Sequence, residues 1–178
     1  EFPVNVVSLT GGVNYYLPNT RSSIFNAKLY LTPAPLLMAS EDIVKAMEQE
    51  PSVKQIRHMA TLAQMSIVGI GGVDSNATLL TNGTLNHSDV LLLSMQGAVG
   101  DMLCHFIDKD GNVIQSSLER KLMSTPLEQL KEMNNSIGVA GGSTKSEAIL
   151  AALKGNYLDV LITDETTATN VLRLKNQE

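Results

Sequence analysis

Short apolar runs alternate with segments of helical periodicity along most of this chain. Val4–Leu9 is β-branched and apolar, reads as a strand, and meets Thr10-Gly11-Gly12. Residues 27–31 read as a second strand, and Thr32-Pro33-Ala34-Pro35 forces an extended turn, because two prolines two apart exclude a helix. Ser40 caps a helix that ends near Pro51. From Ser52 to Gln64, Val53, Ile56, Met59, Ala60 and Ala63 recur at helical spacing. Ser66–Ile70 is an apolar strand followed by Gly71-Gly72. Residues 77–83 read as a loop, Asn86–Met95 as a helix and Gly97–Asp101 as a tight, glycine-bounded turn. Met102–Ile107 is apolar and runs into the turn signal Asp108–Gly111, after which residues 112–115 are placed to close a hairpin. The pattern then predicts a helix from Pro126 to Met133 and a strand at Ser136–Ala140. A helix over 143–154, a strand over 158–162 and a helix over 164–174 follow. Strands alternating with helices imply an α/β fold with a mostly parallel sheet flanked by helices.

Three strands end alike, in Leu9-Thr-Gly11-Gly12, Ile70-Gly71-Gly72 and Val139-Ala-Gly141-Gly142. Ligands of open α/β sheets sit beyond the carboxyl ends of the strands, so these three ends are expected to line one crevice. At the last, Ser143-Thr144 opens a helix with Lys145 in its first turn. Free N–H groups, the positive end of the helix dipole and a lysine together suit a phosphate. The alternative is an ordinary strand–turn–helix with a capping Ser/Thr, each glycine pair merely permitting a sharp turn.

Composition narrows the function. Hydrophobic residues make up 43% and charged residues 17%, as in a globular domain rather than a disordered one. The net charge of −5, with basic residues in no run longer than Arg120-Lys121, argues against direct nucleic-acid binding by this segment. A single cysteine, Cys104, lies in the apolar context Met-Leu-Cys-His-Phe and suits a buried thiol in a reducing cytoplasm. No apolar run reaches the roughly 18 residues of a membrane span. The abrupt opening at Glu1-Phe2-Pro3, directly before a strand, leads us to expect a fragment of a longer protein.

No GxGxxG follows a strand, no phosphate-loop GxxxxGK and no GxSxG elbow occurs, and His58, His87 and His105 lack metal-ligand spacing. No cofactor, metal or catalytic residue is therefore assigned. Asp101, Lys145, Asp164 and Glu165 remain as polar residues at strand ends. The aspartates are suited to accept hydrogen bonds from sugar hydroxyls, or to serve as an acid/base set for isomerising a sugar phosphate. Asp164 equally suits a helix cap.

Gly97-Ala-Val-Gly-Asp101, Val139-Ala-Gly-Gly-x-x-Lys145-x-Glu-Ala-Ile-Leu-Ala-Ala-Leu and Asp159-Val-Leu-Ile-Thr-Asp-Glu resemble the sugar-binding effector domain of SorC/DeoR-type bacterial transcriptional regulators. So do Pro33-Ala-Pro-Leu36 and Val68-Gly-Ile-Gly71, and the likeness runs over essentially the whole chain. The resemblance implies a Rossmann-like fold related to sugar-phosphate isomerases and deaminases but used without catalysis. It implies that residues 1–178 form one effector domain, truncated at its N-terminus and lacking the helix-turn-helix module. The implied partners are a phosphorylated sugar or sugar-like effector, DNA through the absent module, and further copies of the chain in a dimer or tetramer. By motif match Gly141, Gly142, Ser143 and Lys145 take phosphate-binding positions, and Asp101 and Leu103 contact the sugar-like part. Gly11, Gly12, Gly71 and Asp164 complete the expected site. The rival is a sugar-phosphate isomerase, deaminase or lactonase on the same kind of fold. It is disfavoured because no histidine is tied to either glycine motif.

Overall fold

The computed structural model describes residues 4–12, 27–74, 78–81 and 83–177. They fall into two compact units: Glu1–Ala63 with Arg120–Thr125, and Gln64–Glu119 with Pro126–Glu178.

In the first unit β1 (Val4–Val7) and β2 (Ala27–Tyr30) pair in parallel, Val4 opposite Ala27. The helix α1 (Glu41–Gln49) begins at Ser40, whose hydroxyl accepts the Ile43 N–H. Glu50 is extended, and α2 (Pro51–Thr61) restarts with proline at its first position, where no N–H is needed. It ends three residues earlier than the apolar spacing suggested. Met38, Val44, Val53 and Met123 form this unit's core. Met123 reaches it because the Arg120–Thr125 segment pairs back through the bridges Leu37–Leu122 and Thr10–Ser124. Arg57 donates to Glu48 at 2.9 Å and to the Ser124 carbonyl at 3.2 Å.

The second unit is built on a sheet of β3 (Ser66–Gly72), β4 (Ala98–Met102), β5 (His105–Asp108), β6 (Ser136–Val139) and β7 (Val160–Ile162), in the order β5-β4-β3-β6-β7. β6 and β7 run parallel to β3, while β4 is antiparallel to both β3 and β5, so four of the five strands share one direction. The helices are α3 (Thr78–Thr81), α4 (His87–Met95), α5 (Leu127–Lys131), α6 (Ser146–Lys154) and α7 (Glu165–Lys175). No described helix is long and apolar enough to cross a membrane.

One face of the sheet carries the core. Val68, Ile70 and Met102 point toward α6, which lies across β3, β4 and β5. Ala148, Ile149, Ala151 and Ala152 of α6 are fully buried, and their small side chains let helix and sheet approach closely. On the other face Ile67, Val139, Val160 and Ile162 are exposed. β3 and β6 are further joined through the buried Ser66 and Ser136 hydroxyls, 3.0 Å apart. Asp159 accepts the Ser136 N–H at 2.8 Å, which delays the start of β7 to Val160.

Several elements differ from the sequence pattern. Gly97–Asp101 is not a turn. Gly97 alone, with φ +94, leads out of α4, and Ala98–Met102 is the strand β4, bonded on both sides. Its second glycine serves packing: a Cβ on Gly100 would lie 2.3 Å from the Ala148 Cβ and 2.7 Å from the Gly71 carbonyl oxygen. The loop expected at 77–83 contains α3, anchored by the buried Leu79; residues 77 and 82 lie outside the described residues. The hairpin strand expected at 112–115 is reduced to one bridge, Ile107–Val113, because the Asp108 carboxylate takes the Asp110 and Asn112 N–H groups at 2.9 Å. The helices expected over 126–133 and 143–154 are also shorter, the second opening in a separate 3-10 turn.

These contacts predict opposite outcomes for two strand glycines. Gly100→Ala must displace backbone or α6 and is expected to cost about 1–3 kcal/mol, the usual scale of overpacking. Gly69→Ala meets nothing within 4 Å and should be neutral or stabilising. Urea unfolding of both variants beside the parent checks the contrast, and equal midpoints for the two would refute it.

Candidate functional site

β6 stays in the ladder through Ala140, whose N–H donates to the Ile162 carbonyl at 3.1 Å. The chain then turns at Gly142, with φ 106 and ψ 133, a region that side chains rarely adopt. The Gly142 N–H donates to Thr167 Oγ1 at 2.8 Å and to Asp164 Oδ2 at 3.1 Å. Ser143–Lys145 forms a 3-10 turn closed by the Lys145 N–H on the Gly142 carbonyl at 3.0 Å, and α6 follows. The Ser143 and Thr144 N–H groups open this helical stretch and have no intrahelical acceptor. Neither Ser143 nor Thr144 caps the helix with its side chain; instead the Ser146 hydroxyl donates to the Ser143 carbonyl at 2.9 Å. The half-buried Lys145 sits on this first turn.

Asp164 caps α7, accepting the Thr167 N–H at 2.8 Å, and its other oxygen accepts the Thr167 hydroxyl at 2.6 Å. With the Gly142 N–H added, these donors hold its carboxyl at about 2, below the usual carboxylate range, although the residue is exposed. The cap and the glycine turn are therefore one structure. A Cβ on Gly141 would lie 2.8 Å from Asp164 Oδ2.

The end of β3 lies beside this turn. From the position of a Cβ on Gly72, Lys145 Cγ is 4.0 Å away, the Thr144 carbonyl oxygen 3.8 Å and Asp74 Oδ2 3.6 Å. Gly71 pairs with Asp101 of β4, and a Cβ there would lie 2.0 Å from Asp101 Oδ1, so the aspartate occupies the space that glycine leaves. The other oxygen of Asp101 accepts the Cys104 N–H at 3.2 Å. Burial pushes the Asp101 carboxyl up to about 6, against the Cys104 N–H and the nearby charges of Lys145 and His105. Between β4 and β5, Leu103 and Cys104 take φ 51 and 69, a two-residue hairpin turn of the kind that favours Asn-Gly. Two side chains held there store strain of order 1–3 kcal/mol each. Burial also drives the Cys104 thiol up to about 12, so it stays protonated.

The second unit thus brings together Gly71, Gly72, Asp101, Leu103, Gly141, Gly142, Ser143, Lys145 and Asp164. Glu165 is exposed in the first turn of α7. Gly11 and Gly12 belong to the first unit, and their N–H groups donate to the Met123 and Ala34 carbonyls at 2.8 Å. Of the histidines, His105 is buried and its Nδ1 lies 2.7 Å from Glu119 Oε1. Thr167 and Asp74 were not anticipated from sequence. Thr167 was findable, since it stands three residues after the capping Asp164.

Residues 3–173 match the Sugar-bind family, described as "Putative sugar-binding domain", and the chain belongs to that family. It is 36% identical over 174 residues to the transcriptional regulator LsrR of Klebsiella pneumoniae subsp. pneumoniae, covering 96% of this chain and 54% of that protein. It is 37% identical over 173 residues to LsrR of Escherichia coli, covering 96% and 55%. The chain spans about half the length of the curated relatives it matches. Among solved structures, the full-length sorbitol operon regulator SorC from Klebsiella pneumoniae superposes with a TM-score of 0.81 at 25% identity, covering 95% of this chain and 58% of that one. A DeoR family transcriptional regulator from Listeria monocytogenes shares the fold, with a TM-score of 0.84 at 22% identity over 94% of this chain and 68% of that one. These relatives are named as regulators of transcription, not as enzymes.

The two aspartates predict opposite acid responses. The folded-state value of Asp101, about 6, lies above an unfolded value near about 3.9, so its contribution is full below about pH 4 and is lost as pH rises toward about 6. Asp164, held at about 2, contributes above about pH 4 and loses this as pH falls toward about 2. Denaturation midpoints across this range should show the decline between about pH 4 and pH 6 in the parent and not in Asp101→Asn. A decline that persists unchanged in Asp101→Asn places its source elsewhere.

Proposed function

We propose that this chain is the effector-binding domain of a transcriptional regulator, that its effector is a phosphorylated sugar or sugar-like metabolite, and that binding modulates the DNA affinity of the whole protein. The observation that carries this reading is the Gly142 turn. Its own N–H is spent on Asp164 and Thr167, which leaves the Ser143 and Thr144 N–H groups, the helix dipole and Lys145 directed at an anion. Asp101, beside Lys145 and above Gly71, is placed to accept from the hydroxyls of the same ligand, with Leu103 next to it on the strained turn. In this reading Asp164 positions the turn, and Gly141 lets it pack against the cap. The effector binds without turnover, a reading supported by the regulator names of the relatives.

Family membership and the regulator names of the relatives support the role. DNA contact belongs, in this proposal, to a module outside these 178 residues, consistent with the net charge of −5. Such a regulator works in the cytoplasm as a dimer or tetramer, symmetry that suits two-fold operators. The apolar side chains exposed on the sheet, Ile67, Val139, Val160 and Ile162, agree with further association.

Calorimetric titration of the chain with phosphorylated sugars is the test. Lys145→Ala should weaken binding by roughly 1.5–3 kcal/mol, the scale of a charge-assisted hydrogen bond. Unchanged affinity in the variant would remove Lys145 from the site and the phosphate from the reading.

A further inference from the structure

The face of the second unit's sheet turned away from α6 is apolar and bare. On it the register sets Ile67 of β3 beside Ile137 of β6, and Ile137 beside Val160 of β7. One step along, Gly69, Val139 and Ile162 form the next row. Ile67, Val139, Val160 and Ile162 are 67%, 45%, 46% and 54% exposed, and Ile137 is half-buried. The three strands are mutually parallel. Parallel sheets occur almost only with both faces covered, and their strands then read as continuous apolar runs rather than as alternating ones. Ile67-Val68 in β3 and Val160-Leu161-Ile162 in β7 are such runs. These strands carry the sequence of a doubly covered sheet, and the described residues cover one side of it.

The dimensions of the bare face select its cover. From β3 to β7 is two strand spacings, about 10 Å, and one face repeats along a strand about every 6.6 Å. An α-helix with its side chains is about 10–12 Å across, so a single helix laid along the strands meets both rows. A stable dimer needs about 800 Å² from each partner, well beyond what four partly exposed aliphatic side chains supply. Gly69 marks the line of closest approach: a Cβ there meets nothing within 4 Å, and a glycine inside a strand leaves room for another backbone. Further association at this face is thus with a helix rather than with a second sheet. A longer polypeptide has room for one, since the LsrR matches cover 96% of this chain but only 54% and 55% of those proteins.

We propose that an amphipathic helix of the same polypeptide, lying outside residues 1–178, packs along β3, β6 and β7 and covers this face. Its aliphatic side chains, at helical spacing, fill the two rows, and its backbone comes nearest the sheet over Gly69. The proposal shares with the functional reading only the premise of a longer polypeptide, and its test involves no effector.

The test is maleimide labelling of Ile67→Cys and Ile162→Cys, in the 178-residue chain and in the whole polypeptide that carries it. The Cys104 thiol of the parent, buried and protonated, sets the background. Both new thiols should react readily in the 178-residue chain at every protein concentration. In the whole polypeptide they should react at least about tenfold more slowly, because labelling then waits for local opening. A photoactivatable crosslinker on Val160→Cys, at the rim of the face, should link to residues three or four apart in one segment outside 1–178 of the same molecule. Ile67→Lys should leave the urea midpoint of the 178-residue chain unchanged and lower that of the whole polypeptide. Equal labelling in both chains, protection of the 178-residue chain that grows with concentration, or crosslinks to residues 1–178 or to another copy overturn the proposal. An equal fall in both midpoints on Ile67→Lys overturns it as well.

Discussion

The Asp164 carboxylate accepts from the Thr167 N–H, the Thr167 hydroxyl and the Gly142 N–H, and through these bonds two parts of the chain far apart in sequence become one rigid corner. Most helix caps satisfy the N–H groups of their own helix. This one also fixes the turn that starts the preceding helix, so the direction of Ser143, Thr144 and Lys145 depends on it. The demand falls on Gly142, whose φ of 106 only a residue without a side chain adopts readily. Thr167 is fully buried and bonds both Asp164 and Gly142.

A second constraint meets the first from across the sheet. Asp101 sits over Gly71, and burial raises its carboxyl to about 6. The hairpin turn that follows spends two left-handed residues, Leu103 and Cys104, where glycine would be relaxed. Strain of this kind persists where surrounding structure over-determines it, here the β4–β5 pairing and the Cys104 N–H on Asp101. Lys145 and Asp101 thus stand on elements that are each locked by their own contacts.

Much of this was legible in the sequence, and the failures have physical causes. β3, β6 and their glycine ends were visible because β-branched runs broken by paired glycines have few other readings. The Gly97–Asp101 segment misled because glycine signals a turn and a close packing contact alike. Gly100 is there for Ala148, while the real turn at Leu103-Cys104 carries no Asn-Gly signal. The pairing of Arg120–Thr125 with distant residues was hidden because it is made through long-range bridges, which local periodicity cannot show. For the same reason Gly11-Gly12 looked equivalent to the other glycine pairs, although its N–H groups are used within its own unit. The double duty of Asp164 could be read only by half: capping follows from spacing, whereas the bond to Gly142 needs the fold.

The central claim is that the corner held by Asp164 presents the Ser143 and Thr144 N–H groups and Lys145 to a phosphate. Backbone amide resonances report on this directly, in a titration of the chain with a phosphorylated sugar and with the same sugar lacking the phosphate. The account predicts large, saturable shifts at Ser143 and Thr144 with the phosphorylated form only. Equal shifts with both forms, or saturable binding that leaves those two amides unmoved, would contradict it.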